Sequence, residues 1–355
     1  MALYFTSPAD NPACGYGRVA TKLKEALKAS DIPVTEKPQR SDVQIWYGQP
    51  FPETAAQRRR RCDRFLLYTM FESSRIPDGW IETINQHDAL LTPSCWCGQW
   101  FQECGMKVPW HVLHHGVDPD EFPLLERPAD RKNLTFLWMG VNPRDRKGCE
   151  MVRQAFFKLR LPDTRLIIKA VPVQSPRLYL ETPSCKEIWC WYSQQQMLDL
   201  LQEADLSLNP TSGEGFGLIP LEHAATGLAV AVTDFSGCKE YLDELKPDMI
   251  GIQWQPKPSY FNSLGGDYGF DAAPDYDHLC SIMEWAARNR DQVRESGRRL
   301  SQAVHARWAW QRPIRQLKEI LKVYQGSGRK MSNDWPAIQA FPATGLPGRR
   351  PDQDQ

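Results

Sequence analysis

No run in this 355-residue chain approaches the roughly 18–20 apolar residues that would cross a bilayer. Its first residues, MALYFTSPADN, have neither the basic flank nor the apolar centre of a secretory leader. Charge of one sign is also missing: 43 Lys and Arg face 43 Asp and Glu. No global positive field exists to coat nucleic acid, and only a local patch could serve that purpose. The 10 cysteines form no CxxC pair; the close groups are Cys95-Trp96-Cys97 with Cys104, and Cys185 with Cys190. A zinc ribbon or thioredoxin-type motif has no support, and the thiols read as small apolar or surface residues. These absences lead to the expectation of a cytoplasmic chain with no transmembrane segment, touching the inner membrane face at most peripherally.

Apolar residues make up 41% of the chain, and its 13 Trp read first as core filling. The length suggests two domains, at roughly 100–200 residues each. Short apolar runs alternate with amphipathic segments. Ala2–Thr6, Val43–Gly48, Phe65–Met70, Ala89–Pro93 and His111–Val117 read as strands, and Val19–Ser30, Gly79–Gln86 and Cys97–Cys104 as helices. That is βαβ alternation, hence a largely parallel sheet covered on both faces. After the polar stretch Asp118–Lys132 the pattern restarts, with strands at Leu134–Gly140, Leu166–Val171, Asp205–Asn209 and Leu228–Thr233. Its helices fall at Cys149–Leu159, Ser193–Ala204, Leu218–Thr226, Asp277–Asn289 and Arg312–Lys322, and a Ser193/Gln196 capping box opens the second. The expected division is residues 1–125 and 126–310 as domains, 311–325 as a terminal helix, and 326–355 as a tail disordered by composition. Two open parallel sheets in tandem hold a ligand between them, at the carboxyl ends of the strands.

Pro210–Gly227, PTSGEGFGLIPLEHAATG, leaves a strand and opens a helix. Gly213, Gly215 and Gly217 let backbone N–H groups approach an anion, and the helix N-terminus adds a favourable dipole. Glu214 and Glu222 bracket the loop. Carboxylates suit hydroxyl groups better than phosphates. Glycines for phosphate beside carboxylates for hydroxyls spell a sugar nucleotide.

This segment resembles the Glu-x7-Glu motif of the retaining family 4 glycosyltransferases, and further segments fall in that family's order. Gly140–Leu159 (GVNPRDRKGCEMVRQAFFKL) resembles the first strand, loop and helix of its donor domain, and Gly227–Leu242 (GLAVAVTDFSGCKEYL) the continuation of the motif. Val112–Phe122 (VLHHGVDPDEF) resembles the hinge, and Phe71–Ser94 a sub-group with an acidic residue and Ser-Arg-x-Pro after the third strand. The resemblance covers about residues 1–325. It implies an α/β chain of the GT-B fold, with two Rossmann-like, doubly wound parallel-sheet domains facing each other across a cleft. The first would bind the acceptor and the second the donor, with the C-terminal helix packing back on the first.

The resemblance further implies sugar transfer with retention from a UDP-, GDP- or ADP-linked donor to an acceptor hydroxyl, with no cofactor. Glu222 would bind the ribose, Glu214 the transferred sugar, and the backbone at Gly215, Phe216 and Gly217 the sugar and phosphates. Arg146 and Lys147 would hold the diphosphate, whose departing charge needs fixed cations. Gly15-Tyr16-Gly17-Arg18 would close on the phosphate from the opposite side. No Asp-x-Asp is expected in a catalytic loop, Asp118-Pro119-Asp120 lying at the hinge and Asp352-Gln353-Asp354 in the tail, so the cations are expected to replace a divalent metal. Where many members carry a His after the third strand, this chain has Met70-Phe71-Glu72. Glu72 either positions and deprotonates the acceptor or pairs with Arg75.

Arg58, Arg59, Arg60 and Arg61, followed by Arg64, form a basic cluster in the acceptor domain. They are either a solvated helix end or a site for an anionic acceptor. The expected acceptor is a glycan or glycolipid hydroxyl; the arginines motivate the alternative of a hydroxylated DNA base, as in bacteriophage-type modification. A second alternative is a non-catalytic GT-B module that binds a nucleotide sugar. His111, His114 and His115 read as satisfied structural histidines rather than a metal trio.

Overall fold

The computed structural model describes residues 1–8, 15–51, 54–56, 58–128, 131–141, 146–171, 178–261 and 266–324. The expected tail, 326–355, lies outside the described residues.

The first domain runs β1 (Leu3–Thr6), α1 (Gly15–Lys28), β2 (Val43–Tyr47), β3 (Arg64–Tyr68), α2 (Trp80–Ile84), β4 (Ala89–Thr92), α3 (Cys95–Glu103) and β5 (Trp110–Val112). The five strands are parallel, in sequential order. On the outer edge of β1, Leu3 N donates to Pro33 O (2.7 Å) and Thr35 N to Leu3 O (3.0 Å), so residues 33–35 form a rudimentary further strand. The chain leaves β1 for that edge and then returns to its other side at β2. That reversal makes the carboxyl end of β1 a switch point. α1 starts at Gly15, earlier than periodicity suggests, so Gly15–Arg18 form its first turn. The apolar stripe could not announce this start. Tyr16 fixes it through tertiary contacts, donating to Met70 O at 3.1 Å and packing on the Tyr47 ring.

The second domain runs β6 (Leu134–Gly140), α4 (Cys149–Leu159), β7 (Thr164–Ala170), β8 (Leu178–Glu181), β9 (Cys185–Trp189), α5 (Gln194–Glu203), β10 (Leu206–Asn209), α6 (Leu218–Ala225), β11 (Ala229–Thr233), α7 (Lys239–Leu245) and β12 (Ile250–Ile252). Its sheet order is β12-β11-β10-β6-β7-β9-β8, parallel but for the edge strand β8. The expected capping box opens α5. A hairpin follows, β13 (Trp254–Phe261) with β14 (Gly266–Pro274), then α8 (Tyr276–Arg288), α9 (Arg290–Arg307) and α10 (Gln311–Tyr324). Sequence periodicity missed α9 because only Val293, Leu300 and Val304 make its apolar buried stripe.

Two contacts fix the arrangement of the domains. α10 buries Ile314, Leu317, Leu321 and Tyr324, spaced as one helix face, against Val19, Leu23 and Leu27 of α1. Each such aliphatic contributes about 1.5–3 kcal/mol. In the linker, Arg127 donates to the carbonyls of Leu201, Ala204 and Thr226 at the ends of α5 and α6, which anchors the linker on the second domain. The outcome is the expected α/β architecture of two Rossmann-like units across a cleft.

Candidate active site

In the second sheet β6 lies between β7 and β10, so successive connections depart in opposite directions from it. The loops after β6 and β10 meet at this second switch point. Ser212 N donates to Arg146 O at 2.8 Å, which ties the two loops together, and Trp138 Nε1 donates to Lys147 O at 2.8 Å, which holds the first loop on β6. Lys147 Nζ then reaches Glu214 Oε1 at 2.7 Å, and Thr211 Oγ1 donates to the same oxygen at 3.1 Å. Arg146 donates to Gly213 O and stands 3.8 Å from both Glu214 and Glu72. Burial alone would raise the Glu214 carboxyl, but Lys147, Arg146 and the two hydrogen bonds outweigh it and hold it below the usual carboxylate range. Burial likewise disfavours the Arg146 charge, and Glu214, Glu72 and Asp271 more than compensate.

Glu222 sits on α6, whose N-cap is Gly217 at φ 83°. A Cβ there would lie 2.6 Å from Cys238 Sγ, so this turn needs glycine. The buried Glu222 meets Arg18 at 3.2 Å across the domain boundary; Arg18 also lies 3.6 Å from Glu121 and 5.0 Å from the Phe122 ring. Here burial wins: the Glu222 carboxyl is pushed up, because Arg18 offsets only part of the penalty and Glu121 adds to it. Thus Arg18, from the first turn of α1, meets the α6 end of the segment.

The first domain presses on the Gly-rich loop. A Cβ on Gly213 would lie 2.7 Å from Glu72 O, so backbone meets backbone. Ser94 Oγ donates to Gly215 O at 2.8 Å, and Glu240 of α7 accepts from Cys95 N at 2.6 Å. Phe216 is buried and packs 5.0 Å from the His115 ring. Glu72 faces Arg146, and Arg75 pairs instead with Asp267 at 3.8 Å, so the Glu72–Arg75 alternative is not what forms. Burial raises the Glu72 carboxyl, with Arg146 opposing and Glu214 reinforcing the shift.

Two further expectations need correction. The structure does not bring Arg58–Arg64 to the cleft. Arg58–Arg61 precede β3 and Arg64 is its first residue, so the cluster lies at the amino-terminal ends of the strands. Gln44 binds the Arg59 and Arg61 backbone, and Arg60 pairs with Asp88 at 2.8 Å. Arg58 is buried on Trp46, donating to Phe51 O and Thr54 Oγ1. The cleft lies at the other end of β3, so what the cluster binds locally is its own domain. Nor are all three histidines satisfied. His111 meets Tyr324 OH and His114 meets Glu240, each at 2.9 Å, but neither ring nitrogen of buried His115 has a partner among the described residues. Burial drops the His115 pKa to about 3, so it is neutral.

Sequence reasoning missed Thr211, Ser212, Ser94, Lys257 and Asp271. The first two lay inside the quoted loop, where hydroxyls beside glycines were a signal. Lys257 and Asp271 belong to the hairpin, announced only by Gly265-Gly266 between two alternating runs. Among the described residues no group of three or more His, Cys, Asp or Glu could hold a metal ion, and no helix is long and apolar enough to cross a membrane.

Two facing Rossmann-like units, with loops meeting at the switch points of both sheets, define the GT-B class of fold. Residues 192–317 match the model of a family described as "Family 4 Glycosyltransferase in conflict systems". Among curated proteins, D-inositol 3-phosphate glycosyltransferase of Corynebacterium urealyticum is 24% identical over 128 residues, 36% of this chain; the match spans 25% of that relative's length. Sucrose-phosphate synthase from Thermosynechococcus elongatus superposes with TM-score 0.66 at 12% identity, covering 91% of this chain and 98% of that one. The Anabaena protein HepE, solved with UDP and glucose, gives TM-score 0.62 at 12% identity over 91% and 99% of the two chains. The chain thus has the GT-B fold, and within it residues 192–317 resemble the family 4 glycosyltransferases.

Proposed function

We propose that this chain transfers a sugar from a nucleotide-diphosphate sugar to an acceptor hydroxyl, with retention of configuration and without a catalytic metal. The observation that carries this reading is the pairing of Lys147 and Arg146 with Glu214 at the mouth of the Gly-rich loop. A diphosphate would take over the two cations, and a sugar hydroxyl would take over the released carboxylate. The same exchange at Glu222 would swap Arg18 for the ribose hydroxyls. Fixed cations at the leaving group supply the charge stabilisation that a divalent ion gives elsewhere. On the acceptor side, Glu72 is a half-buried carboxyl whose pKa desolvation raises, suited to accepting a hydroxyl proton. Domain closure would exclude water from the reacting centre.

For the acceptor we favour a glycan or glycolipid hydroxyl. The arginines that motivated DNA run along the far end of the strands, which removes the reason for preferring a hydroxylated base. A protein that only senses nucleotide sugars would keep Glu222 and the cations but has no use for Glu72 against Arg146. The test is a thermal-shift panel of UDP-, GDP- and ADP-sugars, followed by donor hydrolysis with and without EDTA. Stabilisation by one donor and EDTA-resistant release of nucleoside diphosphate is the expected result. Binding without transfer or hydrolysis would favour the sensor, and loss of turnover in EDTA restored by Mg²⁺ would overturn metal independence.

A further inference from the structure

The hairpin β13–β14 touches both loops of the site at once. On the acceptor side, Arg75 N donates to Tyr268 O at 3.0 Å, Ser74 N to Phe270 O at 3.4 Å, and Phe270 N to Ser74 Oγ at 2.8 Å. On the donor side, Ala272 N donates to Ser212 O at 2.9 Å, and Lys257 Nζ to Ser212 Oγ at 2.7 Å. Asp271 stands between these contacts, only 6% exposed. Its Oδ1 accepts from Ser73 Oγ at 2.5 Å and its Oδ2 from Ser259 Oγ at 2.7 Å, and the two hydroxyls are themselves 2.8 Å apart.

A buried carboxylate is costly unless its oxygens are hydrogen-bonded, and a domain contact gains no stability from one that an apolar pair would not give. Burial raises the Asp271 carboxyl even with Ser73, Ser259, Lys257 and Arg146 around it. What the group does supply is a directed, two-oxygen anchor. One of its two partners, Ser73, is the chain neighbour of Glu72, whose Oε1 lies 3.8 Å from Arg146. We propose that Asp271 is a positioning residue, which through Ser73 fixes the loop carrying Glu72 against Arg146 and the donor. This rests on the reading of Glu72 as the acceptor-side carboxylate.

The test uses the full chain with Asp271→Ala, Ser73→Ala, Glu72→Gln and the Asp271→Ala/Glu72→Gln double variant. Donor hydrolysis is measured with the sugar nucleotide that stabilises the protein most, separating kcat from KM, and hydrogen exchange is followed in peptides covering 71–76. Asp271→Ala and Ser73→Ala should each lower kcat roughly ten- to a hundredfold, with KM within about twofold. Exchange at 71–76 should speed up in both while β6 stays protected. The double variant should be no slower than Glu72→Gln alone, because both changes act through one group. Unchanged kcat in both single variants, multiplied losses in the double, or a KM that rises in step with the fall in kcat would each overturn the proposal. Wild-type kcat in Glu72→Gln would overturn the underlying reading of Glu72 and the proposal with it. Should Asp271→Ala fail to fold, Ser73→Ala, which removes a single hydroxyl, decides the matter by the same criteria.

Discussion

Glu214 and Glu222 stand at opposite ends of one Gly-rich segment, the first largely and the second fully buried, yet the protein treats them in opposite ways. Glu214 is surrounded by Lys147, Arg146 and Thr211, and its carboxyl is held down. Among the described residues Glu222 pairs with a partly exposed Arg18 that is shared with Glu121, and burial pushes its carboxyl up. The spacing of the two residues could not reveal this difference; the loops packed against each end create it. A carboxylate already ionised and fixed suits a reacting centre. An under-compensated one is suited to gain from a ligand that brings hydroxyl donors.

Breaking the first end should have the largest effect. Glu214→Gln keeps the shape and removes the charge, and donor hydrolysis should fall by about 10²–10³ while the protein melts normally. A change within twofold would remove Glu214 from the reacting centre. Lys147→Ala comes next, because it leaves Glu214 buried with less compensation, at about 1–3 kcal/mol. The sign follows from the lowered carboxyl: its contribution is present above the ordinary Glu range and is lost as pH falls through the native value. The melting deficit of Lys147→Ala should therefore be full at pH 7 and shrink in acid; a deficit that grows in acid would contradict the assignment.

Glu222→Gln should act in the reverse sense and more weakly. A raised carboxyl contributes stability that is full below its unfolded pKa and lost as pH rises through the native value. The variant, neutral throughout, should melt about 2–3 °C above wild type at pH 8, and the gap should close near pH 4. A variant that melts lower at pH 8 would mean that the Arg18 pair outweighs burial. The smallest effect belongs to the arginines outside the cleft. Arg60→Ala and Arg61→Ala should leave donor hydrolysis unchanged and shift stability by less than about 1 kcal/mol. A large loss of hydrolysis in either would put that cluster back at the site.

Most of the frame was legible because each Rossmann-like unit writes its strands as short apolar runs. Cys149–Leu159 and the Ser193 capping box were read from the residues as they stand. The Gly-rich loop was legible too, since glycines, a following helix and two carboxylates are local signals. The rest depends on what meets across the chain. No local pattern says that Glu72 faces Arg146 rather than Arg75, or that an arginine run before β3 lies opposite the cleft. Both follow from strand direction, a property of the sheet and not of the segment. The hairpin carrying Asp271 was missed for another reason. Its strands alternate weakly, carry Pro256 and Pro258, and find their partners in residues 73–75 and 212, far away in sequence.

The division of labour between the two glutamates can be tested by deleting groups on both protein and ligand. Calorimetry would compare the best-binding nucleoside diphosphate with its 2′,3′-dideoxy form, on wild type, Glu222→Ala and Glu214→Ala. If Glu222 binds the ribose, its replacement should weaken the parent nucleotide about tenfold or more and leave the dideoxy form almost unaffected, while Glu214→Ala weakens neither selectively. Equal weakening of both nucleotides by Glu222→Ala would contradict the account.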